Sequence, residues 1–347
     1  MDFTTTEAQR DLAGLTRDIV AKYSTNEAQR QLDSNPTNFD RPLWDALEAS
    51  GVMSATLPEA LGGDGFGVLE WVSIVIELGR GLAAVPFVSS TTAAMVTAAM
   101  VTEDDGSRIL ALALDDEDQL DPPVEATRAG DDWVLTGTKS GVDHAPIADG
   151  FLVATTDGVF LLDAGQVTVV PQSAVDNRSI GIVRLDSVTV DSSRRRDASA
   201  QSITARATLG TCAYQLGVLE ESLRVTADYA RERVQFGKPI GSFQAVAQRL
   251  ADAYIDVKGA RLTLWRAAWA LSADRNADEE IAVAKFWAAD AGHRVAHTLV
   301  HVHGGVGLDR DHPVHRYFLA AKRSEFAYGG ATAQLRRLGA SLAAVPA

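Results

Sequence analysis

The hydrophobic period of this chain changes twice, and that switch limits the folds open to it. From residue 1 to about 105, apolar residues recur at three-to-four spacing. Leu12, Leu15, Ile19 and Val20 alternate with Glu7, Arg10, Asp11, Arg17 and Asp18, as an amphipathic helix requires. A second helix is predicted to start near Phe39-Asp40-Arg41-Pro42. Asp40 suits its N-cap and Pro42 an early helical position. Leu43, Trp44 and Leu47 give it an apolar face, and it stops at Gly51. The stretch Gly62-Gly63-Asp64-Gly65-Phe66-Gly67 reads as a loop, because so many glycines cost backbone entropy in a helix. Another helix follows from about Val68 to Leu82.

From about 106 to 198 the pattern becomes short β-branched or apolar runs. Examples are Trp133 to Lys139, Phe151 to Ala154, Gly158 to Leu162, Val167 to Val170 and Ile182 to Leu185. Asp, Gly, Pro and Asn separate them, as in an antiparallel sandwich or barrel. From about 201 the helical period returns. Leu209, Leu216, Leu219 and Leu223 share one face, and Val246, Leu250, Tyr254 and Val257 another. Further helices are predicted from Asp278 to His301 and from His312 to Leu342. The expectation is a multi-domain α+β protein: a helical N-terminal domain over 1–105, an antiparallel β middle domain over 106–200, and a C-terminal four-helix bundle over 201–347.

The formal net charge of −14 disfavours nucleic acid and anionic membranes as partners. It leaves room for a local basic pocket. No charged leader precedes an apolar run, and no uncharged run has membrane-spanning length. A soluble, cytoplasmic protein is therefore expected. The single cysteine, Cys212, excludes an intrachain disulfide and reads as a buried spectator thiol beside Leu209 and Leu216.

Two segments stand out chemically. In Arg231 to Gln244 a basic helix end passes into a Gly/Pro turn, and the next helix starts near Ser242. Arg233 can grip a phosphate bidentately and Phe236 offers a stacking face. Equally, Arg231 and Arg233 could only complement a helix C-terminus. In His301-Val302-His303-Gly304-Gly305, consecutive glycines allow close backbone approach to a ligand, or form a helix C-cap and turn. His293, His297 and His301 fall at i, i+4 and i+8, yet no acidic ligands accompany them, so no metal site is expected. The loop at Gly62 lies between helices instead of after a strand and fails the context of a dinucleotide loop.

These features together resemble the acyl-CoA dehydrogenases across essentially the whole chain. The phrases Phe39 to Trp44, Leu57 to Gly63, Glu77-Leu78-Gly79-Arg80, Arg233 to Gly237, Ser242-Phe243-Gln244 and His303 to Gly307 are similar to that family in order and separation. The resemblance implies an oligomer in which each FAD lies across a subunit interface. It implies that Arg233 and Phe236 grip the pyrophosphate and adenine side of a neighbour's flavin. Gln244 and the segment His301, His303, Gly304 and Gly305 join them, with His301 in place of the usual glutamine.

The family's chemistry needs a carboxylate over the substrate α-carbon. The stretch that resembles the base-bearing phrase is Tyr328-Gly329-Gly330-Ala331-Thr332-Ala333-Gln334, which puts Gly330 at the glutamate position. The alternative position on the first bundle helix falls near Ala207, flanked by Arg206 and Thr208. No catalytic residue is therefore expected in this chain. Glu220, Glu221 and Glu325 are the obvious carboxylates for a displaced base, though each reads as a solvated or capped helix position. The flavin-lining phrase of the middle domain is also absent, and Gln119 to Ala126 stands where it might fall. This split resembles the non-catalytic subunits of heteromeric actinobacterial steroid side-chain acyl-CoA dehydrogenases. It implies an α2β2 assembly with a homologous catalytic subunit, an acyl-CoA substrate such as 3-oxocholest-4-en-26-oyl-CoA, and an electron acceptor. A displaced base in a homo-oligomer, or a flavin-free scaffold, is the alternative.

Overall fold

The computed structural model describes residues 4–97, 108–114, 123–196 and 198–344. They fall into two compact units, and chain order does not follow the division. One unit holds α2 (Asn26–Asp33), α3 (Arg41–Ala49), α5 (Phe87–Thr97) and the strands of the middle block. The other gathers α1 (Glu7–Tyr23) and α4 (Val68–Arg80) with the helices after Thr208.

In the β-containing unit, two four-stranded sheets enclose one core. The first has the order β1-β4-β5-β8, from Leu110–Ala113, Gly150–Thr155, Gly158–Asp163 and Arg195–Arg196. The second has the order β2-β3-β7-β6, from Glu125–Ala129, Asp132–Asp143, Ser179–Asp191 and Thr168–Ser173. Phe151, Val153, Phe160 and Leu162 of the first meet Leu135, Val183 and Leu185 of the second. Period-two alternation supplies each inner face. The expected antiparallel pairing holds for the described strands except β1 with β4, which run parallel. A parallel pair needs a long crossover, and the chain from β1 to β4 supplies one through β2 and β3. The predicted cap of α3 holds: the Asp40 carboxylate accepts from the Leu43 N–H at 3.0 Å, with Pro42 in the first turn.

The helical unit is built on α6 (Ala200–Glu232), α7 (Gln244–Ser272), α8 (Asp278–His303), α9 (Val314–Phe326) and α10 (Ala331–Ala344). The expected single helix from His312 to Leu342 is in fact α9 and α10. Between them Tyr328 and Gly329 both take left-handed backbone, with φ 56° and 86°, which a helix cannot continue through. Buried Gln215 of α6 donates its side-chain amide to the Ala288 and Ala321 carbonyls, at 3.3 and 3.2 Å, and so ties three helices.

The phrase Glu77-Leu78-Gly79-Arg80 has a structural role. A Cβ on Gly79 would collide with the Tyr214 carbonyl, and one on Gly217 with the Ile76 carbonyl, so α4 and α6 touch backbone to backbone. Beside that crossing Glu77 accepts from Arg17 at 2.9 Å and from Arg80 at 2.9 Å. Burial pushes the Glu77 carboxyl up, but the two guanidiniums outweigh it and hold it below the ordinary value. Cys212 is buried as expected, and desolvation raises its thiol to about 12. Among the described residues, no helix is long and apolar enough to cross a membrane.

Candidate functional site

The last three turns of α6 carry an ion-pair ladder. Glu221 and Asp228 accept from Arg224 at 2.5 and 2.8 Å, and Asp228 accepts from Arg231 at 2.6 Å. Arg231 is thus neutralised. Arg233 is not: it is exposed, and among the described residues no side-chain partner is found for it. Its backbone N–H donates to the Tyr229 carbonyl at 2.8 Å and closes the helix.

A short hairpin follows, with β9 (Val234–Gln235) pairing β10 (Lys238–Pro239). Phe236 and Gly237 form its two-residue turn, both left-handed at φ 50° and 79°. Such turns match strand twist, but they favour Asn-Gly at the centre. Phenylalanine there costs about 1–2 kcal/mol of backbone strain. Phe236 is also 93% exposed, so it forgoes the burial that would offset the strain. Its ring meets Phe243 edge-on at 6.1 Å, and Lys238 Nζ lies 4.5 Å over the Phe243 ring. Gln244 opens α7 with its side chain exposed.

The second segment ends α8. His301 is exposed on its last turn. Gly304 closes the helix at φ 60° and ψ −135°, a conformation that glycine alone adopts easily, and Gly304 and Gly305 are both exposed. His303 differs. It is 4% exposed, and its Nδ1–H donates to the Leu299 carbonyl at 2.8 Å. Its ring stacks on Tyr229 at 4.4 Å and 22°. Burial pushes its pKa down. The Tyr229–His303 stack brings the two sequence motifs together, although 74 residues separate those rings. Tyr229 was not singled out in the sequence. Its signal was its position one helical turn before Arg233.

The turn that resembles the base-bearing phrase is held by two buried side chains. Buried Gln334 donates to the carbonyls of Tyr328 at 2.8 Å and Gly329 at 3.1 Å. Buried Lys285 donates to the Ser324 and Glu325 carbonyls at 3.1 and 3.0 Å, at the C-terminus of α9. A Cβ at Gly330 would meet only the Glu325 carbonyl oxygen at 3.7 Å and Phe326 Cδ1 at 3.9 Å. A carboxylate is missing there, although the backbone leaves space for a Cβ. Ala207 lies fully buried on α6 between Arg206 and Thr208.

The three displaced-base candidates are each paired with a cation. Glu220 accepts from Arg80 at 2.6 Å and from Arg261, Glu221 from Arg224, and Glu325 from Lys322 at 2.5 Å. His293 also reaches Glu325 at 3.2 Å, so this histidine serves an ion cluster. Among the described residues, no group of three His, Cys, Asp or Glu side chains is placed to hold a metal. Of the segment Gln119 to Ala126, residues 119–122 lie outside the described residues, and Glu125 and Ala126 belong to β2.

The fold agrees with comparisons to known proteins. The model for the acyl-CoA dehydrogenase N-terminal domain matches residues 6–111, and that for the C-terminal domain matches residues 198–343. Acyl-CoA dehydrogenase FadE27 of Mycobacterium tuberculosis is 51% identical over the full length of both chains. A chain of the crystal structure of the ChsE4-ChsE5 complex from the same organism superposes with a TM-score of 0.95 at 51% identity, covering 100% of each chain. A chain of a Tcur3481-Tcur3483 steroid acyl-CoA dehydrogenase variant superposes at 0.91 and 35% identity, covering 97% of this chain and 98% of its own. This chain belongs to the acyl-CoA dehydrogenase family.

Proposed function

We propose that this chain is the non-catalytic subunit of a heteromeric acyl-CoA dehydrogenase. Arg233, Phe236, Gln244, His301, Gly304 and Gly305 hold the pyrophosphate and adenine side of an FAD seated in a homologous partner. The partner supplies the catalytic glutamate and the site for the flavin ring. When bound, FAD accepts the hydride from the substrate β-carbon during α,β-desaturation.

One observation carries this reading. Phe236 is strained and almost fully exposed three residues from Arg233, which has no side-chain partner among the described residues, while Gly330 and Ala207 offer no base. Strain of this kind persists where a function requires it. The guanidinium and the ring suit a pyrophosphate and an adenine. A flavin-free scaffold would need neither. A homo-oligomer with a displaced base is disfavoured because Glu220, Glu221 and Glu325 are each tied to a cation.

The relatives support a heteromer, since ChsE4 and ChsE5 form a complex with each other. The steroid acyl-CoA dehydrogenase among them supports a steroid acyl-CoA as substrate. An α2β2 assembly in the cytoplasm, passing electrons to an external acceptor, completes the proposal. The face of α7 that carries exposed Tyr254, Ile255 and Leu262 is its proposed partner-facing surface. The test is flavin content and stoichiometry. The chain purified alone is expected to be colourless, and co-expression with its homologous partner is expected to give a yellow heterotetramer with one FAD per pair of subunits. A chain that is yellow and turns over acyl-CoA alone overturns the proposal.

A further inference from the structure

We propose that the Tyr229–His303 stack holds the Arg233 hairpin in register with the Gly304-Gly305 turn, making His303 a positioning residue for flavin retention and not a direct ligand. This rests on the assignment of those two segments as the grip on the partner's flavin.

The hairpin has no burial of its own, since every residue from Arg233 to Pro239 is exposed. Its anchorage lies at its base. The Arg233 N–H is fixed to the Tyr229 carbonyl at 2.8 Å, and the Tyr229 ring is fixed to the His303 ring at 4.4 Å. His303 is covalently joined to Gly304. One hydrogen bond, one ring contact and one peptide bond thus connect the two ligand-facing segments. The His303 ring is itself held: its Nδ1–H is committed to the Leu299 carbonyl, and the His312 ring lies 5.8 Å away.

The chemistry of His303 argues against direct phosphate contact. An imidazole whose Nδ1–H is committed and whose ring is neutral has only the lone pair on Nε2 left. A lone pair repels a phosphate oxygen. The ring is also buried, whereas Arg233, Phe236, His301, Gly304 and Gly305 are open to solvent.

The experiment is a double-mutant cycle in the co-expressed heteromer. FAD dissociation constants are read from flavin fluorescence for wild type, Tyr229→Leu, His303→Ala and the double variant, with His303→Phe and Arg233→Ala beside them. Each single stack variant is expected to weaken FAD binding about three- to tenfold, the worth of one aromatic pair. The double variant is expected to be no weaker than the worse single, because both remove the same contact. His303→Phe keeps a flat ring for Tyr229 and is expected to bind within about twofold of wild type. Hydrogen exchange in the flavin-free chain is expected to quicken across residues 233–240 in Tyr229→Leu, a readout that survives if His303→Ala does not fold.

Additive losses, or His303→Phe as weak as His303→Ala, overturn the positioning role. If Arg233→Ala weakens binding and the stack variants do not, the stack proposal fails and the flavin grip stands. If Arg233→Ala also has no effect, the grip itself is wrong.

Discussion

Glu220 Oε2 lies 2.6 Å from the Arg80 guanidinium, and the other oxygen of the same carboxylate is held by Arg261. The most conspicuous carboxylate on the first bundle helix is therefore spent on joining α4, α6 and α7. Glu220→Gln is expected to lower the unfolding free energy by on the order of 2 kcal/mol. That is below the roughly 3–5 kcal/mol for breaking a fully buried pair, because Arg261 keeps partial solvent contact. Turnover by the assembled heteromer should be retained. Urea unfolding and steady-state kinetics check this; a stable variant without turnover would identify Glu220 as a displaced base.

Arg233 and Phe236 should separate binding from stability. Arg233→Ala removes one charge-assisted phosphate contact, worth about 1.5–3 kcal/mol, so FAD retention in the complex should fall roughly 10- to 150-fold. Phe236→Gly should act in opposite directions. Relief of left-handed strain should stabilise the isolated chain by up to about 1 kcal/mol, while FAD retention in the heteromer falls. Thermal melts of the chain alone and flavin occupancy of the complex measure the two effects. Loss of stability in the isolated Phe236→Gly chain would mean that the ring packs within this subunit.

The turn at Gly330 has space for a Cβ, with contacts no closer than 3.7 Å. Gly330→Glu should therefore fold with little change in melting temperature. It should stay inactive when purified alone, because the sequence lacks the flavin-lining phrase as well as the base. Acyl-CoA turnover by the purified single variant would refute this.

His303 should make stability depend on pH. Burial places its folded pKa below the ordinary 6.5. As pH falls through that value the unfolded chain takes up a proton that the folded chain refuses, so stability drops as pH falls and recovers as it rises. His297 shifts in the same direction, so the difference between wild type and His303→Phe isolates the His303 share. Glu77, held below the ordinary 4.5 by Arg17 and Arg80, adds a further loss as pH falls through its folded value. Denaturant midpoints from pH 2 to 8 test both. A His303→Phe chain with an unaltered slope would show that His303 does not contribute.

Local order could be read from the chain because local rules govern it. The cap at Asp40 needs only atoms within three residues. The strands from Trp133 to Leu185 follow from alternation, which the pleat itself imposes. The break at Tyr328-Gly329 was missed because the flanking residues suit helix on both sides, and the left-handed pair acts at two positions only. Tyr254 shares a helical stripe with buried Val257 yet is 55% exposed. Periodicity defines a stripe along a helix and cannot say how wide a stripe the neighbouring helices will cover.

By itself, the sequence determined the succession of helical, β and helical segments, the absence of a carboxylate at Gly330 and Ala207, and the presence of the Arg233 and Gly304 motifs. Those depend on residue identity and short-range spacing. The packing of α1 and α4 with the C-terminal helices, the pairing of Glu220 with Arg80 and Arg261, and the stacking of Tyr229 on His303 came from the tertiary structure alone, whereas Glu221–Arg224 and Lys322–Glu325 are local pairs three residues apart. The former join groups through space, and their partners lie tens of residues apart. Chain closure, desolvation and packing select such pairs together, and no single segment carries the information to choose among them.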